Sequence, residues 1–371
     1  MIYKQYGKTG MRLSAVGFGG MRFDTSLSQD ENAALVRYAC SRGINYFDTA
    51  PDYCGGQSEE IFGRAFREMP GEYYVSTKGM PYIFDTADKA RAAVEQSLTK
   101  MGIEQIDVYH IWCLRKMEHY EIAMQKGGQY EGLLKCQEEG LIKHIALSSH
   151  QPGHEIKQLV ADGKVAGILL GVNLLNFPYR WDGVQAAYDA GLGVVAMNPL
   201  SGGLIPQNEE KLSFLAGPGE TPTQAALRFV IACPQITVAL NGFTTREQVD
   251  MACDLADTAG AFSEADLQRV RQHLSANLNA ACTACGYCDD CPQQIPIPSY
   301  MQYYNKKQIF GASDQEMINS LGFEHDWGLL ATRKADADAC VECGQCEEAC
   351  TQHLDIIARL KAIAEWEAAK V

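Results

Sequence analysis

No run of 18 consecutive apolar residues occurs among the 371 residues of the chain, so no apolar helix of membrane-spanning length is expected. Positive charge is also scarce, with 32 Lys and Arg against 46 Asp and Glu, a net charge of -14 at pH 7. A surface of that sign repels phosphate backbones and anionic headgroups, which excludes nucleic acid and anionic membrane as expected partners. The stretch MIYKQYGKTGMRLSAVGFGG has no apolar segment ahead of a small-residue cleavage site, and the expectation is a cytoplasmic protein that acts on small molecules or soluble partners. A Gly-x-Gly-x-x-Gly after the first strand-like run is missing too. GFGG at Gly17 to Gly20 lacks that spacing and signals only close backbone packing.

What is present is an alternation. After a hairpin pattern at YKQYGKTGMRLSAV, turned at Lys8-Thr9-Gly10, eight apolar runs of strand length follow: SAVGFGG, NYFDTA, YYVSTK, IDVYHIW, HIALSS, GILLGVN, GVVAMN and ITVALNG. Each is followed by an amphipathic helical pattern, from ENAALVRYACSR to TREQVDMACDLA. Eight strand-helix units predict an α/β chain folded as a closed parallel (β/α)8 TIM barrel rather than an open doubly wound sheet. Gly43, Gly102, Gly140 and Gly191 fall just before the next strand, where a helix C-terminus favours a residue of positive φ. A further helix over 264–276 leads into a cysteine-rich segment. The expected division is therefore a barrel over 1–275 and a small, mostly helical domain over 276–371.

In such a barrel the chemistry lies at the carboxyl ends of the strands. Asp48 ends the second run, Tyr53 lies five residues on, Lys78 ends the third and His110 comes late in the fourth. A phenol beside an ammonium suits proton donation to a carbonyl oxygen, because a neighbouring positive charge lowers a tyrosine pKa from its usual value of about 10. Asp48 would hold Lys78 charged, and His110 would hydrogen-bond the substrate oxygen. Taken singly, each residue also has an ordinary reading as helix cap, surface charge or core histidine. Cys54 and Cys113 fall near the same mouth. With Cys40, Cys136, Cys233 and Cys253 they are scattered, as small buried hydrophobes are.

Residues 1–258 resemble the aldo-keto reductase family. NYFDTAPDYCGGQSEEIFGRAF is similar to its D-T-A-x-x-Y stretch and the helix after it, and STK, VYHIW, GVNLLNFP and AMNPLSGGL come in the family's order. The resemblance implies catalytic roles for Asp48, Tyr53 as acid, Lys78 and His110, with NADP or NAD lying across the mouth and a carbonyl or alcohol as substrate. It also implies that Ser148, Ser149 and Asn176 meet the nicotinamide, and that Gly242, Arg246 and Gln248 lie toward the far end of the cofactor. The chain departs from the family pattern at Val172, Met197, Met251 and Ala252, which replace a glutamine, a stacking aromatic and a Glu-Asn pair.

Eight of the fourteen cysteines fall in two runs, CTACGYCDDCP at 282–292 and CVECGQCEEACT at 340–351. Such C-x2-C spacing in a cytoplasmic chain points to metal or cluster ligation rather than to disulfides. The runs resemble those of bacterial two-cluster ferredoxins, C-x2-C-x2-C-x3-C-P, in which each run gives its fourth cysteine to the other cluster. By that resemblance Cys282, Cys285, Cys288 and Cys350 hold one 4Fe-4S cluster, and Cys340, Cys343, Cys346 and Cys291 hold the second. Two four-cysteine zinc sites are the alternative reading. The 48 residues between the runs include SYMQYYNKKQIF, a predicted helix that packs the clusters against the barrel.

The two halves handle electrons differently, since nicotinamide passes them in pairs and each cluster passes one. A flavin would convert between the two, but no separate flavin motif is present. The expectation is an NAD(P)H-linked oxidoreductase whose clusters transfer electrons, with a ferredoxin or flavodoxin as electron partner. Two alternatives stay open: a carbonyl reductase with structural or redox-sensing clusters, and an electron-transfer protein that uses its barrel as a docking platform.

Overall fold

Strands β1 (Tyr3–Gln5) and β2 (Arg12–Ser14) pair antiparallel into the expected hairpin, with Tyr3 opposite Ser14. The computed structural model describes residues 1–260, 263–277, 282, 288–350 and 354–370. Beyond the hairpin come β3 (Val16–Gly19), β4 (Tyr46–Asp48), β5 (Tyr74–Gly79), β6 (Ile106–Leu114), β7 (Ile142–Ser149), β8 (Gly167–Gly171), β9 (Gly193–Met197) and β10 (Val238–Asn241). They form a closed parallel barrel, β10 pairing with both β9 and β3. Each strand overlaps one of the eight runs picked from the sequence, β5, β6 and β7 running one or two residues beyond theirs.

The helices form where local chemistry starts and stops them. Ser28 and Glu31 make a reciprocal capping box that opens the helix Gln29–Ser41, which satisfies donors that a helix start otherwise leaves unpaired. Gly102 ends the helix Ala87–Met101 in the left-handed region at φ 64°. Gly43, Gly140 and Gly191 carry the positive φ expected of them as well. The loop after β6 carries a helix the sequence did not single out, Met117–Met124. It buries only Tyr120 and Ala123, too narrow an apolar stripe to stand out in the sequence.

Alternation along the strands divides the core in two. Tyr109 and Ile111 face the helices, whereas Val108 joins Tyr46, Ala146, Leu169, Val195 and Val238 inside the barrel. Tyr6, projecting from the hairpin, closes that interior from below and is fully buried. A Cβ at Gly167 or Gly193 would collide with the Tyr6 ring, so these strands need glycine there.

The C-terminal part builds a core of its own. The helices Ile297–Phe310, Asp314–Asp326 and Ile356–Ala368 pack Tyr300, Tyr303, Leu321, Leu360, Ile363 and Trp366 together, with Cys288 and Cys350 in the same cluster. Glu367 ties this core to the second cysteine run. It accepts hydrogen bonds from Tyr300 Oη at 2.6 Å and from the amide of Ala337, just ahead of Cys340, at 3.0 Å.

Candidate active site

Register brings three of the four predicted residues to one level of the barrel. Lys78 pairs with His110 across β5 and β6, and Asp48 with Ser76 across β4 and β5. Lys78 Nζ lies 2.5 Å from Asp48 Oδ1 and donates also to the Thr49 carbonyl at 2.6 Å. Ser76 Oγ donates to the other carboxylate oxygen at 2.6 Å. Lys78 and Asp48 are 0% and 2% exposed, and a pair so deeply buried holds only when its remaining bonds are made, as they are here.

Tyr53 leans over this pair, with Lys78 Nζ 4.9 Å from the centroid of its ring and Trp112 meeting it edge-on at 5.6 Å. The geometry corrects one expectation. Lys78 faces the π surface, not the hydroxyl, and burial followed by Asp48 and Cys113 raises the Tyr53 pKa well above 10. The phenol is thus held protonated. Burial also lowers the Lys78 pKa, and Asp48 opposes that shift.

The partners of His110 set the direction in which it can hydrogen-bond, which the sequence left open. Its Nδ1 lies 3.3 Å from the Leu147 carbonyl oxygen, an acceptor, which puts the ring proton on Nδ1 and makes Nε2 the acceptor. Nε2 faces Tyr46 Oη at 3.5 Å and Asp48 Oδ2 at 4.0 Å. The ring therefore accepts toward the mouth instead of donating there. Burial pushes its pKa down to about 4. Below pH 6.5 the unfolded chain takes up a proton that the folded barrel refuses, so stability present above that pH is lost as pH falls towards 4. Urea denaturation is expected to show a loss of about 2 kcal/mol from this group between pH 7 and pH 5, and His110→Asn should flatten that slope. An unchanged slope in the variant counts against a buried neutral imidazole.

Backbone strain collects at the two functional regions. Cys54, Cys113, Asn198 and Ser201 around the barrel mouth, and Gln294 and Glu342 beside the cysteine runs, all have φ between 53° and 61°, a conformation non-glycine residues adopt at a cost of order 1–3 kcal/mol. At Cys54 the strain turns the thiol toward the Gly20 carbonyl, 3.4 Å away. Cys113 is buried, and burial pushes its thiol up to about 11. Neither is poised as a nucleophile.

The six predicted cofactor residues differ in what their side chains already do. Ser148 is buried and its hydroxyl has no partner among the described residues. Ser149 Oγ donates to the Leu114 carbonyl at 3.2 Å, and Asn176 Oδ1 accepts from the Asn173 amide at 2.9 Å. Gln248 Oε1 accepts from the Thr244 amide at 2.8 Å. Arg246 lies over the Tyr38 ring, 4.7 Å from its centroid. Arg22 packs where a Gly242 Cβ would stand. Sequence reasoning passed over Arg115, Tyr82 and Trp327, which form one stack at the rim. No motif links them.

In the cysteine region a cavity of about 170 Å³ is lined by Cys291, Cys340, Cys343 and Cys346, and by Cys288 as well. Burial, Glu347, Cys340 and Cys343 together push the Cys346 thiol up to about 11, a mutual repulsion that bound cations relieve. Cys288 and Cys350 are buried in the core around Tyr300 and Trp366, with Cys282, Cys291, Cys340 and Cys346 packed against it, and the Leu354 amide donates to Cys350 Sγ at 3.5 Å. Cys285 lies outside the described residues. Asn305, on the helix Ile297–Phe310, accepts from the Cys282 amide and donates to its carbonyl, at 2.7 and 2.8 Å. Cys291 also lines a second cavity, of about 370 Å³, whose far wall is Pro152 to Glu155, directly after β7.

Residues 15–275 match the aldo/keto reductase family model. The chain belongs to that family. Residues 281–354 match the 4Fe-4S dicluster domain, so this aldo-keto reductase carries an iron-sulfur domain behind its barrel and is an oxidoreductase. L-galactose dehydrogenase of Arabidopsis thaliana is 26% identical over 272 residues, 66% of this chain and 84% of that one. The holo form of an aldo-keto reductase from Bacillus halodurans superposes with a TM-score of 0.63 at 22% identity, covering 74% of this chain and 96% of that one. An aldo-keto reductase from Klebsiella pneumoniae in complex with NADPH gives 0.61 at 21%, covering 73% and 95%. Likeness at this identity speaks for the fold.

Proposed function

We propose that this aldo-keto reductase is an NADP(H)-linked enzyme that interconverts a carbonyl and an alcohol at the barrel mouth, with two 4Fe-4S clusters as an electron-transfer module. The observation that carries the reading is the buried Lys78–Asp48 pair beneath a protonated Tyr53. Barrel 1–275 and domain 276–371 are taken as the two working units. When bound, NADP(H) supplies or takes a hydride, two electrons at once, and the clusters pass electrons singly.

Asp48 and the Thr49 carbonyl fix the Lys78 ammonium under the phenol ring. Tyr53 gives its phenolic proton to the substrate oxygen on reduction and recovers it on oxidation, while the ammonium beneath it offsets the charge this leaves. His110 accepts the hydroxyl hydrogen of the alcohol at Nε2. Trp112, edge-on to Tyr53, keeps water from that face.

The nicotinamide fits the Ser148 end of the mouth. A buried hydroxyl without a partner is costly, and a carboxamide satisfies it, with Ser149 and Asn176 shaping the surrounding turns. Gly242, Arg246 and Gln248 hold the far end, where Arg22 and Arg246 set positive charge at the start of the helix Arg246–Thr258, as suits a phosphate. The clusters fit as well. A tetrahedral zinc draws four sulfurs to about 2.3 Å from the metal, whereas the thiols of Cys291, Cys340, Cys343 and Cys346 surround an open cavity of about 170 Å³.

The cleft from Cys291 to the segment after β7 favours electron passage between cluster and mouth, with a ferredoxin or flavodoxin as external partner. A cytoplasmic setting keeps such thiols reduced, and no helix among the described residues is long and apolar enough to cross a membrane. The test uses anaerobically purified holoprotein, with iron, sulfide and flavin measured beside NADPH-driven aldehyde reduction and viologen reduction. Cys343→Ser is expected to remove the viologen activity and spare aldehyde reduction. Iron near zero with zinc present overturns the cluster assignment, and viologen activity that survives the substitution overturns the electron-transfer role.

A further inference from the structure

The residue after β6 has no place in the scheme above. Arg115 follows a register shift between Ile111 and Leu114 and the left-handed Cys113. Its guanidinium lies against two aromatic rings, with Cζ 5.4 Å from the centroid of Tyr82 and 4.6 Å from that of Trp327. Tyr82 comes from the loop after β5, whereas Trp327 ends the helix Asp314–Asp326 of the iron-sulfur domain. Arg115 Nε is buried and has no hydrogen-bond partner among the described residues, although the guanidinium hydrogen-bonds with Tyr82.

Arg42, Arg64, Arg91, Arg228 and Arg333 each meet a carboxylate. Arg115 forms no ion pair among the described residues, and Glu118 on the next helix is exposed. A guanidinium cannot shed its proton to escape burial. Nor do its neighbours supply negative charge, since burial pushes the Cys113 thiol up to about 11 and the Tyr82 phenol up to about 12. In a chain of net charge -14, a cation packed against two rings with an unused Nε donor is built to receive an anion.

The wall from there to the reacting centre is continuous. Trp112 touches Tyr53, and Cys113 acts electrostatically on both Tyr53 and Tyr82. We propose that Arg115 binds an oxyanion of the substrate, so that the enzyme acts on carbonyl compounds bearing a carboxylate or a phosphate, with Trp327 of the iron-sulfur domain completing the pocket. The proposal rests on the carbonyl-reducing reading of Tyr53. Trp327 is a positioning residue that shields one guanidinium face from water, which strengthens the bond to the anion.

The test compares 4-carboxybenzaldehyde, 4-formylphenyl phosphate and 4-methylbenzaldehyde as substrates of the holoenzyme. The wild type is expected to favour the charged aldehydes, less so at high salt. Arg115→Met should cut kcat/KM for the preferred charged aldehyde roughly 10- to 100-fold and spare the neutral one, Arg115→Lys should recover part of the loss, and Trp327→Leu should raise KM for the charged aldehyde with kcat kept. The ranking of the two charged aldehydes decides between carboxylate and phosphate. Equal losses on all three aldehydes, or no wild-type preference, overturn the proposal. Calorimetric binding of 4-carboxybenzaldehyde to wild type and Arg115→Met reads the anion site without turnover. Absent turnover with binding that depends on Arg115 counts against the Tyr53 reading alone, and binding that ignores the substitution counts against Arg115.

Discussion

Tyr53→Phe lowers kcat/KM for aldehyde reduction by roughly two to four orders of magnitude and leaves the melting temperature nearly unchanged. The substitution removes one oxygen and no ring. Phenylalanine keeps the contact with Lys78 Nζ, 4.9 Å from the centroid, and the edge of Trp112, so packing at the mouth survives. What disappears is the proton that burial and Asp48 hold on the phenol. Lys78→Met would be a poorer test, since it strands the 2%-exposed Asp48 carboxylate without a counter-ion, a loss of about 3–5 kcal/mol that mixes unfolding with lost chemistry. Steady-state NADPH oxidation beside a thermal melt separates the two effects for Tyr53. Turnover that persists in Tyr53→Phe sinks the acid role.

Cys291→Ser removes the cluster held by the second run, not the first. Cys291 shares its cavity with Cys340, Cys343 and Cys346, and with Cys288 of its own run, and serine is a hard, weakly acidic ligand where iron prefers thiolate. Iron is expected to fall from roughly eight atoms per chain to about four. The electron paramagnetic resonance signal that vanishes should be the one that also vanishes in Cys343→Ser, while Cys282→Ser removes the other. If Cys291→Ser and Cys282→Ser erase the same signal, each run keeps its own four ligands and the exchange between them is wrong. The shortened last gap of the first run does not keep Cys291 from that cavity. The chain turns through Gln294 at φ 59° just beyond it, and the Gln294 amide donates to the Cys291 carbonyl at 2.8 Å.

The barrel was legible because local signals and burial agree. Eight strand runs are each followed by a helix, and the glycines before the next strand take the φ their position demands. Asp48, Lys78 and His110 could be placed at one level because strand ends in a parallel barrel converge. Proton affinities were not legible. The lysine was expected to acidify Tyr53, yet it lies over the ring face, and whether burial or charge dominates depends on depth, which no spacing encodes.

The cofactor residues show the same limit. Ser148 and Ser149 are neighbours of one type, but one hydroxyl is left over and the other is spent on Leu114. Which is which depends on the end of β6, 35 residues away. Arg115 and Trp327 meet across 212 positions and two domains, a juxtaposition that exists only once both have folded. The cysteine runs stood out by spacing alone, and the Glu367 anchor that fixes the second run did not.

The hairpin has a kinetic consequence. With Tyr6 and its neighbours filling the base, the barrel is a blind-ended vessel. Substrate, product and coenzyme then share one entrance, rimmed by Arg115 and Trp327. Whatever binds deepest must arrive first and depart last, so the plug sets an order of arrival.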